Sequence, residues 1–230
     1  MPLKTLQEHI DSLRDGRQVY YEGELVEDIT VHPVLGAGMT HAALDYKLAQ
    51  DPDHRELATY TDSETGQIYS RYYKISQNSD DLLRRRELIA AGTRAGKGVV
   101  LLIKEIGTDA LFALHIVTQH LDQHRGTDYL RRVKDYYLQC RERDLSHAVA
   151  QTDVKGDRGK RPSEQSHPDY YVRVVERRED GIVVRGAKAH TTGSPFVDEI
   201  IVVPTRSMTA ADADYAVSFA VPTNAPSVRS

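Results

Sequence analysis

At 230 residues, 40% of them hydrophobic and 28% charged, the chain is long enough for one large domain or two small ones and too rich in apolar residues to be disordered. A net charge of −4 gives no general pull toward nucleic acid, which needs clustered Lys and Arg, and no run approaches the roughly 18 apolar residues of a membrane helix. The first residues lack an apolar leader core, and a single cysteine, Cys140, excludes an intramolecular disulfide framework, so a cytoplasmic protein is expected, with neither membrane nor nucleic acid as partner.

In chain order, Leu6, Ile10 and Leu13 recur at helical spacing before Asp15-Gly16, which predicts a short helix over 5–13. A hairpin is expected over 17–26, because Val19-Tyr20-Tyr21 and Leu25-Val26 flank a turn at Glu22-Gly23-Glu24. Further helices are predicted over 39–50, 79–91, 99–124 and 129–143; Ser79-Asp80-Asp81 supplies a start signal, and Asp51-Pro52 ends the first of them. After about Ala150 the period changes to that of strands, predicted over 170–177, 182–187, 199–203 and 215–221. Arg178-Glu179-Asp180-Gly181 marks a hairpin between the first two. The polar stretch 156–166 reads as a long loop, a type that often carries function. The Tyr pairs 20–21, 72–73, 136–137 and 170–171 are expected to place one ring inside and one at the surface. The last predicted strand runs into Pro222 and the sequence stops at Ser230, which leaves a thin sheet of about four strands and an expectation of missing partner structure.

Several motifs carry weaker chemistry. Gly92-Thr93-Arg94-Ala95-Gly96-Lys97-Gly98 has the wrong glycine spacing for a phosphate loop and no Ser or Thr after the lysine, so helix punctuation is the better reading. His120 and His124 sit four apart on a helix, yet no acidic residue completes a zinc pattern; a solvated face is expected and no metal. Cys140, without a second thiol, anchors no cluster. The run Lys155-Gly156-Asp157-Arg158-Gly159-Lys160-Arg161 joins close backbone approach at its glycines to an arginine fit for a pyrophosphate or carboxylate. A second polar node, His190-Thr191-Thr192-Gly193, suits a ring edge or a phosphate.

Gln151-Thr152-Asp153-Val154-Lys155-Gly156-Asp157-Arg158, Tyr171-Val172-Arg173-Val174-Val175-Glu176 and Gly181 through Gly193 closely resemble, in order and spacing, the flavin family of 4-hydroxyphenylacetate 3-hydroxylases and 4-hydroxybutyryl-CoA dehydratases. The likeness extends to Val19-Tyr20-Tyr21-Glu22-Gly23-Glu24, His32-Pro33, Leu48 through Pro52 and Asp214 through Phe219. The resemblance implies an α+β, acyl-CoA dehydrogenase-like fold. Residues 1–148 would form a mainly helical domain and 149–230 a partial antiparallel β-barrel domain, with the C-terminal helical bundle absent. It implies FAD, used as FADH2, contacted by Gln151, Thr152, Asp153, Lys155, Gly156, Asp157, Arg158, His190, Thr191, Thr192 and Gly193. In the dehydratase branch two cysteines on one helix hold an iron–sulfur cluster; Leu101 and Glu105 stand there, so no cluster is expected. In the hydroxylase branch an Arg, a Tyr and a His hold the phenol. His147 matches the His, whereas Ile106 and Ala110 replace the other two. The implied function is a monooxygenase module acting on an aromatic substrate, with His147 as its catalytic residue and a separate flavin reductase as partner. It would work as a homo-oligomer or with a complementary C-terminal chain. A cluster-free relative acting on an acyl-CoA, and a fragment inactive without a C-terminal domain, are the alternatives.

Overall fold

The computed structural model describes residues 3–99, 103–154 and 156–230. Thr5 opens helix α1 (Leu6–Ser12): its hydroxyl accepts the Glu8 amide at 3.1 Å while the Glu8 carboxylate accepts the Thr5 amide at 2.7 Å, so two otherwise orphaned donors are satisfied reciprocally. The expected hairpin follows as β1 (Tyr20–Tyr21) and β2 (Glu24–Leu25). Its turn residues Glu22 and Gly23 both have positive φ, 52° and 89°, the conformation that matches strand twist in a two-residue hairpin.

The helix expected over 39–50 is two helices, α2 (Leu35–Ala42) and α3 (Leu44–Gln50), which meet at buried Ala43. The small pair Ala42-Ala43 lets the chain change direction, so that each piece turns its own apolar residues inward. A one-turn helix α4 (Arg55–Ala58) leads into a hairpin of β3 (Thr59–Thr61) and β4 (Ile68–Ser70), which the sequence reading did not anticipate. Helix α5 (Ser79–Ala95) is capped one residue before the expected place, by Asn78, whose side chain accepts the Asp81 amide at 3.0 Å. The next helix, expected over 99–124, is α6 (Glu105–Arg125), with Ile103 and Lys104 in a turn just ahead of it. Helix α7 (Tyr129–Arg143) has the predicted bounds.

The β region departs from an antiparallel barrel. Strand β5 (His147–Ala150), absent from the prediction, heads a three-stranded sheet of order β5-β8-β9, completed by β8 (Glu199–Val202) and β9 (Phe219–Pro222). β5 and β8 are parallel and β8 and β9 antiparallel. The segment joining β5 to β8 is long enough to carry the chain back to the same end of the sheet, as parallel pairing requires. Within it β6 (Arg173–Arg178) and β7 (Gly181–Arg185) make a separate hairpin. Among the described residues no barrel closes. Two predicted strands begin late because Tyr170 and Tyr215 end 3-10 turns, Pro168–Tyr170 and Ala210–Tyr215, which the Tyr215 hydroxyl joins by donating to the Pro168 carbonyl at 3.2 Å.

One core cluster draws Leu13, Val19, Met39 and Tyr46 together with Ala148, Phe196, Val197, Ile200 and Val202. The helical region therefore packs directly on the sheet. A second cluster, Tyr73, Leu111, Tyr137, Cys140, Leu145 and Ile201, fills the space beneath α6 and α7. Among the described residues no helix is long and apolar enough to cross a membrane.

Candidate functional site

His147 is the first residue of β5 and fully buried. Its amide donates to the Ile103 carbonyl at 2.8 Å. Gly107 of α6 lies so close that a Cβ there would sit 2.4 Å from the His147 Cβ; the absence of a side chain is what lets helix and strand meet. Tyr136 stands edge-on to the imidazole at 6.1 Å, and its hydroxyl donates to Glu199, the cross-strand neighbour of His147, at 2.6 Å. Among the described residues neither ring nitrogen of His147 has a hydrogen-bond partner. Burial pushes its pKa down to about 4, against the opposing pull of the Asp198 carboxylate, so the ring is neutral near pH 7.

Asp198 fixes the start of β5. Its carboxylate accepts the Ser146 amide and hydroxyl, both at 2.8 Å, and the Lys4 ammonium at 2.6 Å. Burial alone would raise its pKa, but Lys4 and Ser146 outweigh that and hold it at about 2.

Where β5 ends, Gln151-Thr152-Asp153 runs beside the segment after β7. Asp153 and Lys188 form an antiparallel bridge, and the Ala189 amide donates to the Thr152 carbonyl at 2.7 Å. This pairing brings the start of the first polar node against the residues that lead into the second. His190 then adopts a left-handed φ of 55° with its side chain exposed, and the turn closes through Thr192 amide to His190 carbonyl at 3.0 Å and Ser194 amide to Thr191 carbonyl at 3.2 Å. Among the described residues no hydrogen bond takes up the side chains of Gln151, Thr152, His190, Thr191 or Thr192; Gln151 and Thr152 engage through their carbonyls. Gly193 is buried with φ 84°.

Asp153 faces the other way. It is 3% exposed, pairs with Lys188 at 2.7 Å and accepts the Thr205 hydroxyl. Lys188 is the residue the sequence reading passed over, its only signal being a lysine between alanines at the end of a strand.

The distal part of the first node folds back on the loop that follows. The Asp157 amide donates to Gln165 Oε1 at 3.0 Å, Gln165 Nε2 returns to the Asp157 carbonyl at 2.8 Å, and a Cβ on Gly156 would meet Tyr170 at 2.6 Å. Arg158 is exposed, with no ion pair among the described residues. Lys155 lies outside the described residues, as does Leu101. Of the other candidates, His120 and His124 are exposed on α6, with His124 Nδ1 at 2.8 Å from the His120 carbonyl. Cys140 is buried and its thiol pushed up to about 12 by burial, which keeps it from acting as a nucleophile. A cleft of about 520 Å³ lies at the β1–β2 hairpin among Tyr21, Glu24, Leu25, His32 and Pro33; none of the described candidate residues lines it.

The family model described as 4-hydroxyphenylacetate 3-hydroxylase N terminal matches residues 5–230. The chain is 42% identical to the 4-hydroxybutyryl-CoA dehydratase/vinylacetyl-CoA-Delta-isomerase of Clostridium aminobutyricum, over 97% of this chain and 45% of that protein. It is 34% identical to the 4-hydroxyphenylacetate 3-monooxygenase oxygenase component of Thermus thermophilus, with the same coverages. Among solved structures it is similar to an oxygen-tolerant archaeal 4-hydroxybutyryl-CoA dehydratase from N. maritimus, with a TM-score of 0.90 and 33% identity over 97% of this chain and 44% of that one. It is also similar to a 4-hydroxyphenylacetate 3-monooxygenase oxygenase component complexed with FAD, with a TM-score of 0.83 and 29% identity over 98% of this chain and 46% of that one. The chain thus spans under half the length of these relatives.

Proposed function

Because the chain belongs to the 4-hydroxyphenylacetate 3-hydroxylase N-terminal family, we propose that it supplies one wall of an FAD site in a flavin-dependent monooxygenase. The observation that carries the flavin reading is the pairing of 151–153 with 188–189, which presents Gln151, Thr152, His190, Thr191 and Thr192 with side chains that no hydrogen bond takes up among the described residues. Hydroxyls, an amide, an imidazole and turn amides fit the polar edge of an isoalloxazine. Exposed Arg158 offers a bidentate donor for a pyrophosphate, while Gly156 and Asp157 belong to the loop around it. Bound there in reduced form, FAD would supply the electrons for oxygen activation, and a separate reductase would reload it.

The choice of monooxygenase chemistry rests on thiols. The chain has one cysteine, buried on α7, and Glu105 rather than cysteine opens α6. His147 would hold the phenolic oxygen of an aromatic substrate: a neutral imidazole with both nitrogens unpartnered can accept the phenol proton or donate to the phenolate. Because the ring is fully buried, that contact requires the packing around it to open. A second reading, a cluster-free relative acting on an acyl-CoA, is favoured by the 42% identity and the TM-score of 0.90 to the dehydratases. In either case residues 1–148 would supply the mainly helical part and 149–230 the β part, with β5 running across the boundary, and the remaining length of the relatives would complete the pocket.

A flavin titration of the purified chain, followed by FAD fluorescence, tests the site: saturable one-to-one binding is expected, and its absence with a folded chain argues against these residues as a sufficient flavin wall. Oxygen consumption dependent on a phenol and a flavin reductase supports the monooxygenase. Binding of a CoA thioester with no oxygen uptake favours the second reading.

A further inference from the structure

Lys188 lies between three segments. Its ammonium sits 2.7 Å from Asp153 Oδ1, 3.0 Å from the Gln151 carbonyl and 2.9 Å from the Val203 carbonyl, so all three of its N–H donors have acceptors. The second Asp153 oxygen accepts the Thr205 hydroxyl, which also lies 3.1 Å from the Gln151 carbonyl. These contacts tie the chain leaving β5, the chain leaving β7 and the chain leaving β8. Since β5 and β8 are parallel, the first and third emerge from the same end of the sheet, and Lys188 joins the second to them. The side chains are 10% and 2% exposed. The space beside them, bounded by Tyr171, Val202, Pro204, Met208 and Tyr215, is too narrow for water.

We infer that Lys188, through Asp153 and Thr205, is a positioning residue that fixes the spacing of the two polar nodes and so shapes the flavin wall. The inference rests on the flavin reading for its consequence, though not for its geometry. Asp153 then serves the site through Lys188 rather than by touching a ligand. The bridge at Lys188 sets the direction in which the chain reaches His190, and the left-handed turn at His190 exposes the ring and the two threonines. Removing the ammonium leaves a buried carboxylate with no solvent to turn to and frees the Gln151 and Val203 carbonyls, so the paired segments separate.

The test is amide hydrogen exchange of the free chain, together with FAD titration, for wild type, Lys188→Met, Lys188→Arg and Thr205→Val. Expected is exchange over residues 189–193 at least about tenfold faster in Lys188→Met with α7 unchanged, and FAD binding weakened by about the same factor, both largely restored in Lys188→Arg. If Lys188→Met fails to fold, Thr205→Val, which keeps the ammonium, is expected to shift the same amides by a smaller factor. Unchanged exchange over 189–193 in whichever variant folds overturns the inference. Wild type that binds no FAD shows that these residues do not suffice as a flavin wall while exchange still judges the latch, and altered exchange with unaltered FAD affinity overturns the link between latch and site.

Discussion

His9 and His147 are fully buried imidazoles with neither nitrogen hydrogen-bonded among the described residues, and burial holds their pKa values at about 3 and about 4. Both lie below the unfolded value, so between about pH 6.5 and the folded values the unfolded chain binds more protons, and stability falls as pH drops through that window. Asp45 works in the opposite sense, since burial raises its pKa to about 6 and it adds stability as pH falls from there. The His147 shift alone corresponds to roughly 3 kcal/mol, and with His9 it outweighs one aspartate. Urea midpoints are therefore expected to decline from pH 7 to pH 4.5. His9→Phe, which keeps a ring stacked on Tyr46, should flatten the decline; an equal slope in the variant would remove His9 from the account. At Gly107 two effects compete. Alanine improves helix propensity by about 1 kcal/mol, but its Cβ meets a strand side chain at 2.4 Å, an overpacking that costs about 1–3 kcal/mol. Net destabilisation of Gly107→Ala is expected in denaturant titrations.

Between elements, the most fully buried ion pair among the described residues joins Lys104, just before α6, to Asp144, the left-handed residue that ends α7, at 2.8 Å with both side chains essentially unexposed. The ammonium also lies 3.7 Å from the centre of the Tyr46 ring. Lys104→Met should cost about 3–5 kcal/mol, because it strands a buried carboxylate, whereas Lys104→Met with Asp144→Asn should cost less than the sum of the single changes. A double-mutant cycle in urea reads the difference, and strict additivity would count against the pair. Helix α7 was legible to its end residues because Val133, Tyr136, Tyr137 and Cys140 repeat at helical spacing and Asp144 stops it. The break at Ala43 was not legible, since the 39–50 pattern is periodic throughout and only packing divides it. β5 was missed because Ala148-Val149-Ala150 is short and alanine-rich; its partner β8, more than 40 residues away, makes it a strand. The site shows the same division. The polar nodes read correctly as loops from their Gly, Thr and His content, but Lys188 was invisible because its three acceptors come from segments distant in sequence. The enclosure of His147 depends on a glycine 40 positions earlier.

At the scale of the whole chain, the first residues bind segments far along the sequence. The Lys4 amide donates to Asp144 at 3.0 Å and its ammonium to Asp198, Gln18 pairs with Arg229, and one core cluster holds residues from Leu13 to Val202. Loss of either end exposes the other, so a single cooperative transition is expected, with far-UV circular dichroism and tyrosine fluorescence coincident in urea. Two separated transitions would show that 1–148 and 149–230 unfold independently. The chain has 13 tyrosines and no tryptophan, and the hydroxyls of Tyr46, Tyr73 and Tyr137 donate to the Asp144, Leu145 and Tyr73 carbonyls. These phenols cannot ionise without giving up a buried hydrogen bond, and burial lifts the pKa of each above its ordinary value. Their stabilising contribution is complete below about pH 10 and is lost only as alkali drives them toward phenolate. Alkaline difference spectroscopy follows tyrosine ionisation directly. The enclosed tyrosines should appear as a late step that coincides with loss of ellipticity, so that tyrosinate absorbance becomes a label-free optical signal of the fold coming apart.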